Sequence, residues 1–129
     1  MILCIDDDAT GLYIRKMFLQ AQGYQVLTAV SGREGLELFT AHPIAAVVLD
    51  YMMPEMNGGE VAAEMKRLKP EVKILLLSAY VTLPEEALKW VDCRVVKGEG
   101  PQLFLDALRQ LLPKKSTSQE VSAQRAIGS

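Results

Sequence analysis

Ala45-Ala46-Val47-Val48-Leu49-Asp50 runs five apolar residues straight into a carboxylate, and a loop sequence, Tyr51-Met52-Met53-Pro54-Glu55-Met56-Asn57-Gly58-Gly59, follows it. A short run with no polar alternation is the mark of a strand covered on both faces, because neither face meets water. A carboxylate at the end of such a strand is costly unless a charge or a donor pairs with it. Asp50 therefore marks a strand end and a place where other polar groups are expected to converge.

The same kind of strand recurs on either side. Upstream, Met1–Ile5 is apolar and leads into Asp6-Asp7-Asp8, then a helical stretch from about Ala9 to Gln22 that Gly23 stops. Tyr24–Ala29, aromatic and β-branched, reads as a second strand. Ser31 with Glu34 has capping-box spacing and opens a helix through Leu36, Leu38 and Phe39, which Pro43 ends. Downstream, Val61, Ala62, Met65 and Leu68 fall at i, i+1, i+4 and i+7, the stripe of a helix against a core. Lys73–Leu77 reads as a fourth strand, Pro84 to about Trp90 as a short helix and Cys93–Val96 as a fifth strand. Pro101 opens a last helix with Phe104, Ala107, Leu108 and Leu111 as its core stripe. Leu105 and Leu112 fall off that stripe and form a candidate homodimer face.

Strands alternating with helices, the central strands apolar throughout, predict an α/β fold with a doubly wound, five-stranded parallel sheet. The predicted domain is 1–112. Residues 113–129 turn to Lys, Ser, Gln and Thr with little periodicity and read as a flexible C-terminal tail. With no second hydrophobic cluster, the output function is expected on a separate protein.

Composition narrows the function. The chain has 129 residues, half of them apolar, and 14 Lys+Arg against 16 Asp+Glu for a net charge of −2. Direct DNA binding is not expected without a positive field. No apolar stretch approaches the roughly 20 residues of a membrane span, and the N-terminus lacks the basic region and cleavage site expected of a signal peptide. Cys4 and Cys93 are too few for a disulfide framework. These features point to a cytoplasmic chain.

Chemistry in such sheets gathers beyond the carboxyl ends of the strands. Here the first strand ends in Asp6-Asp7-Asp8, the third in Asp50, the fourth in Ser78 and the fifth in Lys97. If the first and third strands are neighbours, Asp6, Asp7 and Asp50 meet, and carboxylates that close need a cation. Mg²⁺ takes oxygen ligands and suits a site with few carboxylates. Asp8 has the bland alternative of capping the first helix. The first strand leads into acids and not into a glycine-rich turn, so a nucleotide is disfavoured. A single phosphoryl group, bridged by the metal and neutralised by Lys97, fits better.

Four segments together, Ile-Asp-Asp-Asp at 5–8, Val-Leu-Asp-Tyr-Met-Met-Pro-Glu-Met-Asn-Gly-Gly at 48–59, Leu-Ser-Ala at 77–79 and Val-Val-Lys at 95–97, resemble the response-regulator receiver (CheY-like) domains of two-component signalling. The resemblance covers about 1–112 and implies a flavodoxin-like strand order 2-1-3-4-5. It implies that Asp50 is the phosphoacceptor, taking its phosphoryl group from a sensor histidine kinase or phosphotransfer protein. Asp7, Asp50 and the backbone carbonyl of Met52 would ligate Mg²⁺, with Asp6 acting through water. Ser78 matches the hydroxyl that follows the phosphoryl oxygen, and Lys97 the lysine that pairs with it. Three positions depart from the family: Arg94 where an aromatic switch residue is usual, Gly98 in place of a proline, and Glu99 in place of an aromatic. Tyr80 is a candidate gate or substitute switch. Gly58 is expected to permit the turn before the next helix and Pro54 to fix φ after the acid.

Three functional readings follow. The chain is a phosphoacceptor module whose modification shifts partner binding. Alternatively it is a phosphorylation-independent docking scaffold, or a Mg²⁺-dependent phosphatase with an aspartate nucleophile. The last is disfavoured because Met52 stands where a leaving-group acid is needed.

Overall fold

In a computed structural model of the chain, which describes residues 1–80 and 82–112, strands and helices alternate throughout. They are β1 (Ile2–Ile5), α1 (Ala9–Ala21), β2 (Val26–Ala29), α2 (Gly32–Ala41), β3 (Ala46–Asp50), α3 (Gly58–Leu68), β4 (Lys73–Ser78), α4 (Glu85–Leu88), β5 (Cys93–Val96) and α5 (Pro101–Leu111). All five strands are parallel, in the order β2-β1-β3-β4-β5. The doubly wound sheet and its order match the sequence expectation. The predicted tail at 113–129 lies outside the described residues. No helix among the described residues is long and apolar enough to cross a membrane.

The apolar runs are uninterrupted because the sheet is packed on both sides. Side chains alternate between faces with the two-residue period of a strand. Leu3, Ile5, Val47, Leu49, Ile74 and Leu76 join Phe39 of α2 and Val61 and Met65 of α3 in one core. Ile2, Cys4, Ala46, Val48, Leu75 and Leu77 join Leu12 and Leu19 of α1 and Phe104 and Leu108 of α5 in the other. β1 and β5 are kept apart by β3 and β4, so Cys4 and Cys93 are both free thiols. Burial pushes the Cys4 thiol up to about 12, which leaves it inert.

Several local expectations need correction. Leu105 is 4% exposed, so with the half-buried Leu112 it offers no dimer face; the exposed leucine of α5 is Leu103. Leu68, the last member of the α3 stripe, is exposed at the helix end. Ser31 accepts from Glu34 N–H, but the Glu34 carboxylate reaches Val30 N–H and not the cap residue, so the box at α2 is incomplete. The complete capping box is on α3, where Asn57 and Glu60 exchange hydrogen bonds of 3.0 and 3.1 Å. α4 is one turn long and stops at Leu88, two residues short of the predicted Trp90.

Gly58 has a different role from the one expected. Its φ is not positive; the positive-φ residues among the described residues are Glu55, Gly23, Gly98 and Gly100. The constraint at Gly58 is space, since a Cβ there would lie 2.7 Å from the Asp50 carbonyl oxygen and from Leu76 Cδ1, and 3.0 Å from Tyr51 Cα. The start of α3 is thus laid directly on the end of β3, helped by the Gly58 N–H to Tyr51 carbonyl bond of 2.8 Å. Gly58→Ala is expected to destabilise the fold by about 1–3 kcal/mol, the usual cost of overpacking, in urea denaturation. A loss under about 0.5 kcal/mol would show that α3 can lift off β3 freely.

Candidate functional site

The carboxyl edge of the sheet gathers charges that the register places side by side. Ile5 pairs with Leu49, so Asp6 emerges beside Asp50. Asp6, Asp7 and Asp50 each offer an oxygen within 4.8 Å of the others, Asp6 and Asp50 buried and Asp7 exposed. Lys97, the first residue beyond β5, sends its Nζ to 2.7 Å from Asp50 Oδ1 and 3.4 Å from Asp6 Oδ2. Its backbone N–H donates to the Ser78 carbonyl at 2.7 Å, which fixes the root of that side chain. The four predicted charges therefore share one cleft.

Asp6 is held most tightly. Its Oδ1 accepts the Asp8 N–H at 2.9 Å and its Oδ2 faces both Lys97 and Arg15 Nη1, the latter at 3.3 Å. Asp8 turns the other way and caps α1 by accepting from Thr10 N–H at 3.2 Å. Burial pushes the Asp50 carboxyl above the usual carboxylate range; the Lys97 ammonium opposes that shift, and the charges of Asp6 and Asp7 reinforce it. Burial alone would lower Lys97, but its pairing with Asp50 and Asp6 outweighs that and raises it. Desolvation and pairing with Lys97 thus act in opposite directions on Asp50.

Ser78 is at the same edge, one residue beyond the partner of Asp50, and 1% exposed. Its hydroxyl does not reach the carboxylates. It accepts the Tyr80 N–H at 2.9 Å and donates to the Tyr80 carbonyl at 3.2 Å, closing the loop after β4. Tyr80 is 54% exposed, and its contacts with Ser78 are made by its main chain. The Met52 side chain is exposed in the loop after β3. Arg94 lies within β5 opposite Leu76, and Gly98 has φ +92°, a conformation that suits glycine and not an L side chain.

Arg15 was absent from the expected site. Its signal was in the helix pattern: Leu12 and Leu19 are the buried residues of α1, and Arg15 stands between them at i+3 and i−4, on the same face. A guanidinium on a buried stripe calls for an anion at its tip, and Asp6 is that anion.

The family profile described as the response regulator receiver domain matches residues 2–97. The response regulator TrrA of Thermotoga maritima, solved in complex with Mg²⁺-BeF, superposes with a TM-score of 0.82 at 34% identity, covering 86% of this chain and 97% of that one. The same protein in complex with the histidine kinase ThkA gives a TM-score of 0.80 at 34% identity, covering 87% and 97%. The transcriptional regulatory protein GlrR of Escherichia coli is 33% identical over 84 residues, 65% of this chain but only 19% of GlrR. The chain belongs to the response regulator receiver domain family, the signalling modules of two-component systems. It spans about a fifth of the length of that curated relative.

The raised Asp50 pKa has a consequence for stability. The folded protein holds this proton more tightly than the unfolded chain, so protonation favours the fold, and that contribution is lost as pH rises from the ordinary carboxylate range through the raised value. Asp50→Asn in chelated, metal-free solution is therefore expected to melt higher than wild type at neutral pH. The gap should close below about pH 4, where the aspartate of the unfolded chain is also protonated. A neutral-pH melting temperature at or below wild type would show that pairing with Lys97 outweighs desolvation.

Proposed function

We propose that Asp50 is the phosphoacceptor of a signalling switch, charged by a sensor histidine kinase or phosphotransfer protein in the cytoplasm. The observation that carries this reading is the 2.7 Å ion pair of Lys97 with Asp50, set beside Asp6 and Asp7 at a buried strand end. The donor set, carboxylate oxygens alone, suits a hard divalent cation. Asp7, Asp50 and the Met52 carbonyl would hold Mg²⁺, with Asp6 acting through water. When bound, the ion supplies positive charge to the oxygens of the incoming phosphoryl group.

The residues of the chain account for the rest. A carboxylate oxygen of Asp50 attacks the phosphorus of an N-phosphoimidazole. The P–N bond breaks, its electron pair leaves on the imidazole nitrogen, which takes a proton, and an acyl phosphate remains on Asp50. Little covalent assistance is needed, so positioning and charge neutralisation dominate. Lys97 is already paired with Asp50 and needs only to follow the negative charge outward onto the phosphoryl oxygens. Ser78 has two sets of partners available, the Tyr80 main chain at rest and a phosphoryl oxygen after transfer, which makes the loop after β4 the two-state element. Release of that loop would alter the surface offered to a downstream output partner. Met52, two residues after Asp50, has no proton to give a leaving group, which favours a switch over a turnover phosphatase. The kinase complex of TrrA supports a kinase as the upstream partner.

Incubation with acetyl phosphate and Mg²⁺ tests the reading. One hydroxylamine-sensitive phosphoryl group per chain is expected, abolished by chelation, by Asp50→Asn and by Asp7→Asn. Lys97→Ala should slow its formation by about 10²–10³-fold, the range for losing one charge-stabilising donor. Continuous phosphate release would establish the phosphatase instead, and no reaction the docking scaffold.

A further inference from the structure

Arg15 is a second cation at the site, paired with Asp6 and not with Asp50. Its side chain is 15% exposed, and among the described residues its one ion pair is with Asp6, at 3.3 Å. Lys97, by contrast, serves Asp50 as well as Asp6. Asp6 thus has both oxygens engaged by protein donors, whereas Asp7 makes no ion pair among the described residues.

The charge count shows what Arg15 changes. Three carboxylates facing two cations carry one net negative charge. A divalent ion turns that into one net positive charge, and a phosphoryl group on Asp50, adding one further negative charge, then brings the cluster to neutrality. With Arg15 removed, the divalent ion alone already neutralises the cluster. Arg15 also borders an open cleft of about 450 Å³ between α1 and the segment joining β5 to α5, lined by Phe18, Gly98 and Phe104 among others. A guanidinium displaced from Asp6 has that volume to enter.

We propose that Arg15 is a positioning residue that competes with the divalent cation for Asp6, so that the site is fully charge-balanced only when ion and phosphoryl group are both present. This rests on the phosphoacceptor reading above. It makes two signed demands: removing Arg15 tightens cation binding and weakens phosphoryl-analogue binding. A variant that merely damaged the site would weaken both.

The test is Mn²⁺ binding to the unphosphorylated chain, followed by the electron paramagnetic resonance of free Mn²⁺ and by Mg²⁺ competition. Arg15→Gln is expected to bind Mn²⁺ about three- to thirtyfold tighter than wild type, as one charge acting on a divalent ion across a partly wet site would give. Arg15→Leu, which continues the apolar stripe of Leu12 and Leu19, should do the same, and Arg15→Lys should stay near wild type. At saturating Mg²⁺, beryllofluoride should bind Arg15→Gln more weakly than wild type. Unchanged or weaker Mn²⁺ binding in both uncharged variants, with wild type binding and Asp7→Asn impaired, overturns the proposal and leaves the phosphoacceptor reading standing. Failure of wild type and both uncharged variants to bind overturns the two together.

Discussion

Asp50 is a carboxylate at the end of a strand that is sealed on both faces, and its pairing with Lys97 is the constraint from which the rest follows. An unpaired charge there would be costly. The ammonium relieves it, but Lys97 can reach Asp50 only because β4 lies between β3 and β5 and ties Lys97 N–H to the Ser78 carbonyl. The parallel order, the buried strands and the loop after β4 are thus conditions of one ion pair as much as features of a fold.

Most of the fold was readable because a two-faced sheet leaves a plain trace. Buried strands read as apolar runs, and the carboxylates and lysine that end them stood out against those runs. Asp6, Asp7, Asp50 and Lys97 meet in the cleft for that reason. Side-chain contacts between distant elements left a weaker trace. Arg15 belongs to no motif, and only its position between Leu12 and Leu19 marked it. Ser78 was placed correctly at the edge, but its hydroxyl is satisfied by the local main chain, a preference of short hydroxyl side chains that periodicity does not register. Leu105 was misplaced because α5 is wrapped by the core over a wider arc than a narrow stripe assumes.

The departures from the family fall on the β5 side. Gly98 and Gly100 adopt positive φ, and Arg94, where the sequence resemblance implies an aromatic, lies within β5 itself. On the proposed reading, transfer rests on the cluster at Asp50 and propagation on the loop after β4, which Ser78 closes through the Tyr80 main chain. The two properties sit on separate residues and are free to diverge.

The two sides of this strand-end edge are built differently. On one, α3 begins in contact with the carbonyl of Asp50 and is closed by a reciprocal cap, leaving no slack. On the other, α4 is a single turn with no side-chain cap. The close seat of α3 on the end of β3 is therefore set by the missing methyl group at Gly58.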